Sequence, residues 1–229
     1  LNLFNGKDDR ISKDSWMLVD SNSGRLLKVG SGNAPAADKT EDLKNQYVMP
    51  GLSNVHVHMT FNPYSATGNT DVSIVQAAVR SIKALHQLLK SGVTYIRSCG
   101  DAYDMDIHLN NLAKTGKLTK VPHILPVGRP YTMTGGHGDE PNWGHLVDSC
   151  DEMRKAVRQG IKRGAQGIKV MATGGVMTKR DFMGDPQLSI PEMHTAVIEA
   201  HHKGLTACAH AQANPGIMNA IKAGVDSVE

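Results

Sequence analysis

The 229-residue sequence predicts an α/β protein, an incomplete (β/α)8 TIM barrel with about six strands present, behind a small β-rich element. Three observations carry that expectation. From Gly51 onward, apolar strand-length runs alternate with helix-length segments. A glycine closes each helical segment before the next strand. The loop after the first of these strands, "HMTFNPYSATGN", lacks the G-x-G-x-x-G that an open dinucleotide-binding sheet would carry there.

Residues 1–50 form the first expected domain. Turn clusters ("NGKDD", "DSNSGR", "GSGNAPAADK") separate short strand-like pieces at Ser15–Asp20, Arg25–Val29 and Tyr47–Met49, and no helix-length pattern intervenes. Residues 51–229 form the second. Its first strand is "LSNVHVH". A helix from Asp71 to Lys90 follows, stopped by Gly92, and "VTYIRS" (93–98) is the second strand. Asp104 to Thr115 reads as helix up to Gly116, and "HILPV" (123–127) as the third strand. Asp148 to Arg163 reads as helix up to Gly164, and "QGIKVM" (166–171) as the fourth strand. Pro191 to Lys203 is helical, with Ser189 as its cap and Gly204 as its stop, and "LTACA" (205–209) is the fifth strand. Pro215 to Ala223 is the last helix, closed by Gly224, and "VDSVE" (225–229) begins a sixth strand. Strict β-α order of this kind demands a parallel sheet.

In such a barrel, function is built at the C-terminal ends of the strands. Side chains alternate across a strand, so His56 and His58 share one face, opposite Val55 and Val57. Lys169 sits inside the apolar run "GIKVM", where an unpaired lysine is costly. His210 falls at the end of strand five, on the face of Cys208 and Thr206. Each side chain alone has a structural reading: a hydrogen-bonded core histidine, or a lysine that snorkels to solvent. Together they converge from three strands on one rim, and imidazoles grouped in this way can hold a metal.

Composition narrows the classes of function. Net charge is +3, aromatic residues make up 4%, and no basic block is interleaved with aromatics, so nucleic acid is not an expected partner. No apolar run reaches the ~18 residues of a membrane span. The three cysteines, Cys99, Cys150 and Cys208, form no C-x-x-C pair. That favours a reducing, cytoplasmic setting, and the opening "LNLFNGKDDR" has no signal-peptide core.

"VMPGLSNVHVHM" resembles the P-G-[ILF]-x-[DN]-x-H-x-H opening of the amidohydrolase superfamily. "GAQGIKVMATGGVMT", "QLSIPEMHTAVIEAHHKGLTACAHA" and "GIMNAIKAGVDSVE" resemble its subgroup related to imidazolonepropionase and to Xaa-Pro and Xaa-Arg dipeptidases. The resemblance implies that residues 1–50 are part of a small β-sandwich. It implies metal ligation by His56 and His58, a carboxylated Lys169 bridging two zinc ions, and His210 on the second metal. A lysine takes up CO₂ only as the neutral amine, the form that burial favours. A hydroxide shared by two metals would then hydrolyse an amide or peptide bond in a small-molecule, dipeptide-like or N-acyl amino acid substrate.

The Gly-rich loop "TMTGGHGDE" (132–140) follows strand three, and the resemblance makes its His137 the catalytic residue and substrate contact. Lys179 and Arg180 in "TGGVMTKRD" are candidates to meet a substrate carboxylate. The stretch "HAQA" departs from the subgroup's H-A-Y-G or H-A-H-G, so Gln212 occupies a substrate-binding position with a different side chain. Cyclic-amide hydrolysis and a non-catalytic metal-binding barrel stay open as alternatives, as does a homo-oligomer. The family continues past the segment matching "SVE" with a metal-binding histidine and a later aspartate. These residues are therefore expected to be part of a longer protein and inactive in isolation.

Overall fold

A computed structural model describes residues 1–62, 73–176, 178 and 181–229. The chain divides into two compact units, Leu1–Gly51 and Leu52–Glu229.

The first unit is all β. Strand β1 (Asn2–Phe4) lies between β2 (Ile11–Ser12), its antiparallel partner, and β5 (Tyr47–Val48), its parallel partner. Strands β3 (Ser15–Val19) and β4 (Leu26–Ser31) form a separate antiparallel hairpin. The pieces expected from sequence are present with shifted ends, and β1 and β2 are additional. Their two or three residues are too short to show an alternating pattern. Gly30 faces Trp16 across the hairpin, and a Cβ there would lie 2.4 Å from Trp16 Cζ2, so the indole covers the strand only because that position is glycine.

The second unit is α/β. Its elements are β6 (Leu52–Val57), α1 (Ile74–Lys90), β7 (Val93–Ser98), α2 (Met105–Lys114), β8 (His123–Leu125), β9 (Tyr131–Thr132), β10 (His145–Leu146) and α3 (Cys150–Arg163). They continue with β11 (Gly167–Met171), α4 (Ile190–His201), β12 (Thr206–His210), α5 (Gly216–Ala223) and β13 (Ser227–Val228). Every ladder between these strands is parallel, in the orders β6-β7-β8 and β10-β9-β11-β12-β13.

Helix starts follow local chemistry. Ser73 and Gln76 form a capping box on α1, and Ser189 and Glu192 form one on α4, with Pro191 in its first turn. The expected start of the first helix, Asp71, lies outside the described residues. Strand three is shorter than "HILPV" because Pro126 has no N–H to extend the ladder. The Pro126 carbonyl instead accepts the Gln166 N–H at 2.7 Å, which ties this segment to the approach of β11. Strands β9 and β10, inside the expected loop, are additional.

The core has two parts. Ile168 and Val170 of β11 pack with Met153 and Val157 of α3 and Met193 and Ala196 of α4, while Ile96, Ile124, Leu85 and Leu109 form a second cluster. Val57 packs against the second cluster as expected, whereas Val55, expected on the same helix-facing side, is half exposed.

Two fully buried aspartates tie down the strand ends. Asp101 accepts the Thr60 N–H at 2.7 Å and the Ser98 hydroxyl at 2.9 Å. Asp106 accepts the N–H groups of Val127 at 2.7 Å, Gly128 at 2.9 Å and Ile107 at 2.8 Å. Burial pushes both carboxyls above the usual carboxylate range, and Asp106 adds repulsion at Asp101. On the outer surface, Glu199 of α4 takes a two-pronged hydrogen bond from Arg158 of α3, at 2.8 and 2.9 Å.

Replacing Asp106 by Ala strands three N–H groups inside the protein. We expect a loss of about 3 kcal/mol in denaturant unfolding of the full-length protein. Hydrogen bonding from Arg158 holds Glu199 below the usual glutamate value, so its contribution is present at neutral pH. That contribution is lost as pH falls through the lowered folded-state value. Arg158 is exposed, so Glu199→Gln should lower Tm only slightly at pH 7, and wild type and variant should converge in acid.

Candidate active site

The polar rim is assembled at the C-terminal ends of the parallel strands. His56 is in β6 and His58 just follows it, Lys169 is in β11, His210 ends β12, and Glu229 follows β13. The register sets Lys169 beside Cys208, Met171 beside His210, and Cys208 beside Ser227.

Each histidine is tethered through one ring nitrogen. His58 Nδ1 donates to the Gly100 carbonyl at 2.7 Å, so its Nε2 carries a lone pair. That Nε2 lies 3.2 Å from Nε2 of His56, whose Nδ1 donates to Glu229 at 2.9 Å. With both Nδ1 protons committed, the two Nε2 lone pairs face each other, an arrangement that a proton or a metal cation between them would satisfy. Contact with Cys99, together with Glu229, raises His56, while burial lowers His58 to about 4. His210 donates from the other nitrogen, Nε2, to the Gly174 carbonyl at 3.1 Å, which leaves Nδ1 open. Burial and then His137 lower it to about 4.

Lys169 is 1% exposed and its Nζ makes no hydrogen bond. Its charge acts on His56, His58, His137 and His210, in each case against protonation. The structure thus brings all four metal-ligand candidates and His137 within electrostatic reach of one ammonium. His137 stacks on His210, with ring centroids 4.4 Å apart at 27°, and donates from Nδ1 to Asp181 at 3.0 Å. Gln212 is at the edge: its side chain is exposed, and its N–H donates to the Thr173 hydroxyl at 3.1 Å. Lys179 and Arg180 lie outside the described residues.

Several participants had no sequence assignment. Glu229 anchors His56, and Arg97 in turn pairs with Glu229. Cys99 brings a thiol, and its donor atom lies with those of His56 and Glu229 within 4.8 Å of one another. Trp143 packs on His58, with ring centroids 5.4 Å apart. The glycines "TGG" also have a reason: a Cβ on Gly175 would lie 2.3 Å from His137 Cε1.

Two adjacent Nε2 atoms, an open Nδ1 and a buried amine without a partner form a nitrogen donor set suited to borderline divalent metals such as zinc. A parallel α/β unit that gathers its polar side chains at the C-terminal ends of its strands has the arrangement in which enzymes of this class build their active sites. The amidohydrolase family model matches residues 47–229, and the chain belongs to that family. Ochratoxinase of Aspergillus niger is 31% identical over 211 residues, covering 80% of this chain and 42% of the relative. Among solved structures, an amidohydrolase superposes with a TM-score of 0.90 at 25% identity, covering 99% of this chain and 58% of that one. A Xaa-Pro dipeptidase with bound methionine superposes at 0.83 and 29% identity, covering 99% and 59%. The chain therefore spans about half the length of these relatives. Among the described residues, no helix is long and apolar enough to cross a membrane.

Gly175→Ala forces the His137 ring off its seat. We expect a destabilisation of about 1–3 kcal/mol and loss of the contact between His137 and His210, visible in a crystal structure of the variant.

Proposed function

We propose that these residues form the N-terminal, metal-binding part of a (β/α)8 amidohydrolase that cleaves an amide or peptide bond in a dipeptide-like or N-acyl amino acid substrate. The observation that carries the reading is Lys169, buried and unpartnered among histidines that resist protonation beside it. An isolated ammonium is very costly there, and uptake of CO₂ by the neutral amine removes that charge and supplies two ligand oxygens. The relatives bearing the names ochratoxinase and Xaa-Pro dipeptidase support the substrate class.

In this reading, His56 and His58 would hold one metal and His210 a second, with Lys169, carboxylated, as the ligand common to the two. Bound metals would activate water at neutral pH and polarise the scissile carbonyl. The chain's own residues do the rest. Glu229 and Gly100 keep the Nδ1 atoms of His56 and His58 occupied, which reserves their Nε2 atoms for the cation. Trp143 packs against the His58 ring, with centroids 5.4 Å apart. His137, fixed on His210, offers a ring nitrogen to the scissile group. The rest of the protein would supply the remaining metal ligand and the proton-transfer group.

The test is metal analysis of the full-length protein with a hydrolysis screen over dipeptides, N-acyl amino acids and cyclic amides. Lys169→Ala and Lys169→Arg should each lose metal and lower hydrolysis by at least about a hundredfold, since neither side chain forms a carbamate. A short-chain carboxylate should partly restore the Ala variant. Full metal content and activity in either variant would overturn the bridging role.

A further inference from the structure

His137 lies on a glycine-rich loop, a poor place to hold a ring in one orientation, and yet it is held from several sides. Its Nδ1 donates to Asp181 Oδ2 at 3.0 Å, and the same oxygen accepts the Gly175 N–H at 2.7 Å. Asp181 Oδ1 accepts from the Gln187 side-chain amide at 2.7 Å. The carbonyl end of that amide accepts the His137 backbone N–H at 2.8 Å. The four bonds are mutually consistent only with the Gln187 oxygen toward His137 and its nitrogen toward Asp181. Thr178 adds another tie, accepting the Gly138 N–H at 3.1 Å.

The Asp181 side chain is 2% exposed, so this is not a solvated surface pair. Both of its oxygens already accept from fixed N–H donors, so the carboxylate is an acceptor toward His137 and the ring proton must sit on Nδ1. Among the described residues, Nε2 has no hydrogen-bond partner. Gly175 and Gly136 make room for the arrangement. A Cβ at Gly175 would strike the His137 ring, and one at Gly136 would lie 2.9 Å from Gln187 Oε1.

We propose that Asp181, oriented by Gln187, is the positioning residue for His137, fixing the Nδ1–H tautomer so that Nε2 faces the substrate. The role of His137 at the scissile group rests on the hydrolase reading above, whereas the tautomer lock stands on these bonds alone. Asp181 acts through His137 and does not itself touch substrate.

The test uses full-length protein labelled with ¹⁵N-histidine, with the His137 ring signals identified by their loss in His137→Ala. The wild type should show Nδ1 protonated and Nε2 bare, and a wild-type ring protonated on Nε2 overturns the proposal outright. Asp181→Asn and Asp181→Ala should each release the lock, giving mixed or reversed protonation of the ring. An unchanged tautomer in either folded variant also overturns it. In hydrolysis of the best amide from the screen, each variant should lower kcat at least about tenfold with KM little changed. In a His137→Ala background, the same substitutions should cause no further fall. An equal fall in that background would show a merely structural role and refute positioning. If the full-length protein hydrolyses no amide, the ring signals still decide the positioning claim while the hydrolase reading fails.

Discussion

The buried amine of Lys169 is the constraint around which the second unit is organised. Placing an ammonium where it has neither water nor a hydrogen bond works against folding by several kcal/mol. Four imidazoles share the region, and the carboxylate near enough to feel the charge, Glu229, is already engaged by His56 and Arg97. Burial and mutual repulsion keep His58 and His210 neutral under ordinary conditions, so the site holds a cluster of lone pairs around one positive charge. Such a cluster resembles a coordination sphere more than a packed core. The apolar side of the same strand shows the contrast, since Ile168 and Val170 pack conventionally against α3 and α4.

Much of the architecture was legible because its determinants are local. A period of two in "NVHVH" puts both histidines on one face whatever surrounds them. Ser189, expected as a cap from its place before Pro191, opens α4 within four residues of chain. The alternation of strand and helix then required parallel ladders, and every ladder in the second unit is parallel. Boundaries were less legible where a distant partner decides them. The third strand stops at Leu125 because Pro126 and the backbone beyond it bond to Gln166 and Asp106 instead of to a neighbouring strand.

The candidate site divides along the same line. His56, His58, Lys169 and His210 are conspicuous because each interrupts an apolar strand. Glu229 and Asp181 interrupt nothing. Glu229 is 173 positions from the histidine it anchors and Asp181 is 44 from His137, so no local pattern joins them. The glycine at position 175 reads in sequence as loop flexibility, whereas its structural reason is the steric space that the His137 ring occupies. Residues that bear chemistry were readable from their type and strand position. Residues that orient them were not, because their choice depends on what the fold brings alongside.

This division explains how one rim can present different nitrogens without any difference in residue type. His56 and His58 are tethered at Nδ1 by a carboxylate and a carbonyl, which leaves Nε2 free for chemistry; His210 is tethered at Nε2 by the Gly174 carbonyl, which leaves Nδ1. His137 is tethered at Nδ1 by Asp181. An imidazole offers two nearly equivalent nitrogens, and the hydrogen bond at one decides what the other does. All four partners in this scheme are backbone carbonyls or carboxylates contributed by the segment just after a parallel strand or by the loop that follows it. The parallel α/β arrangement therefore supplies more than a place for the histidines. It brings the strand-end peptide groups close enough to select, ring by ring, the nitrogen that each histidine presents, and the orientation is set by folding before any cation or substrate arrives.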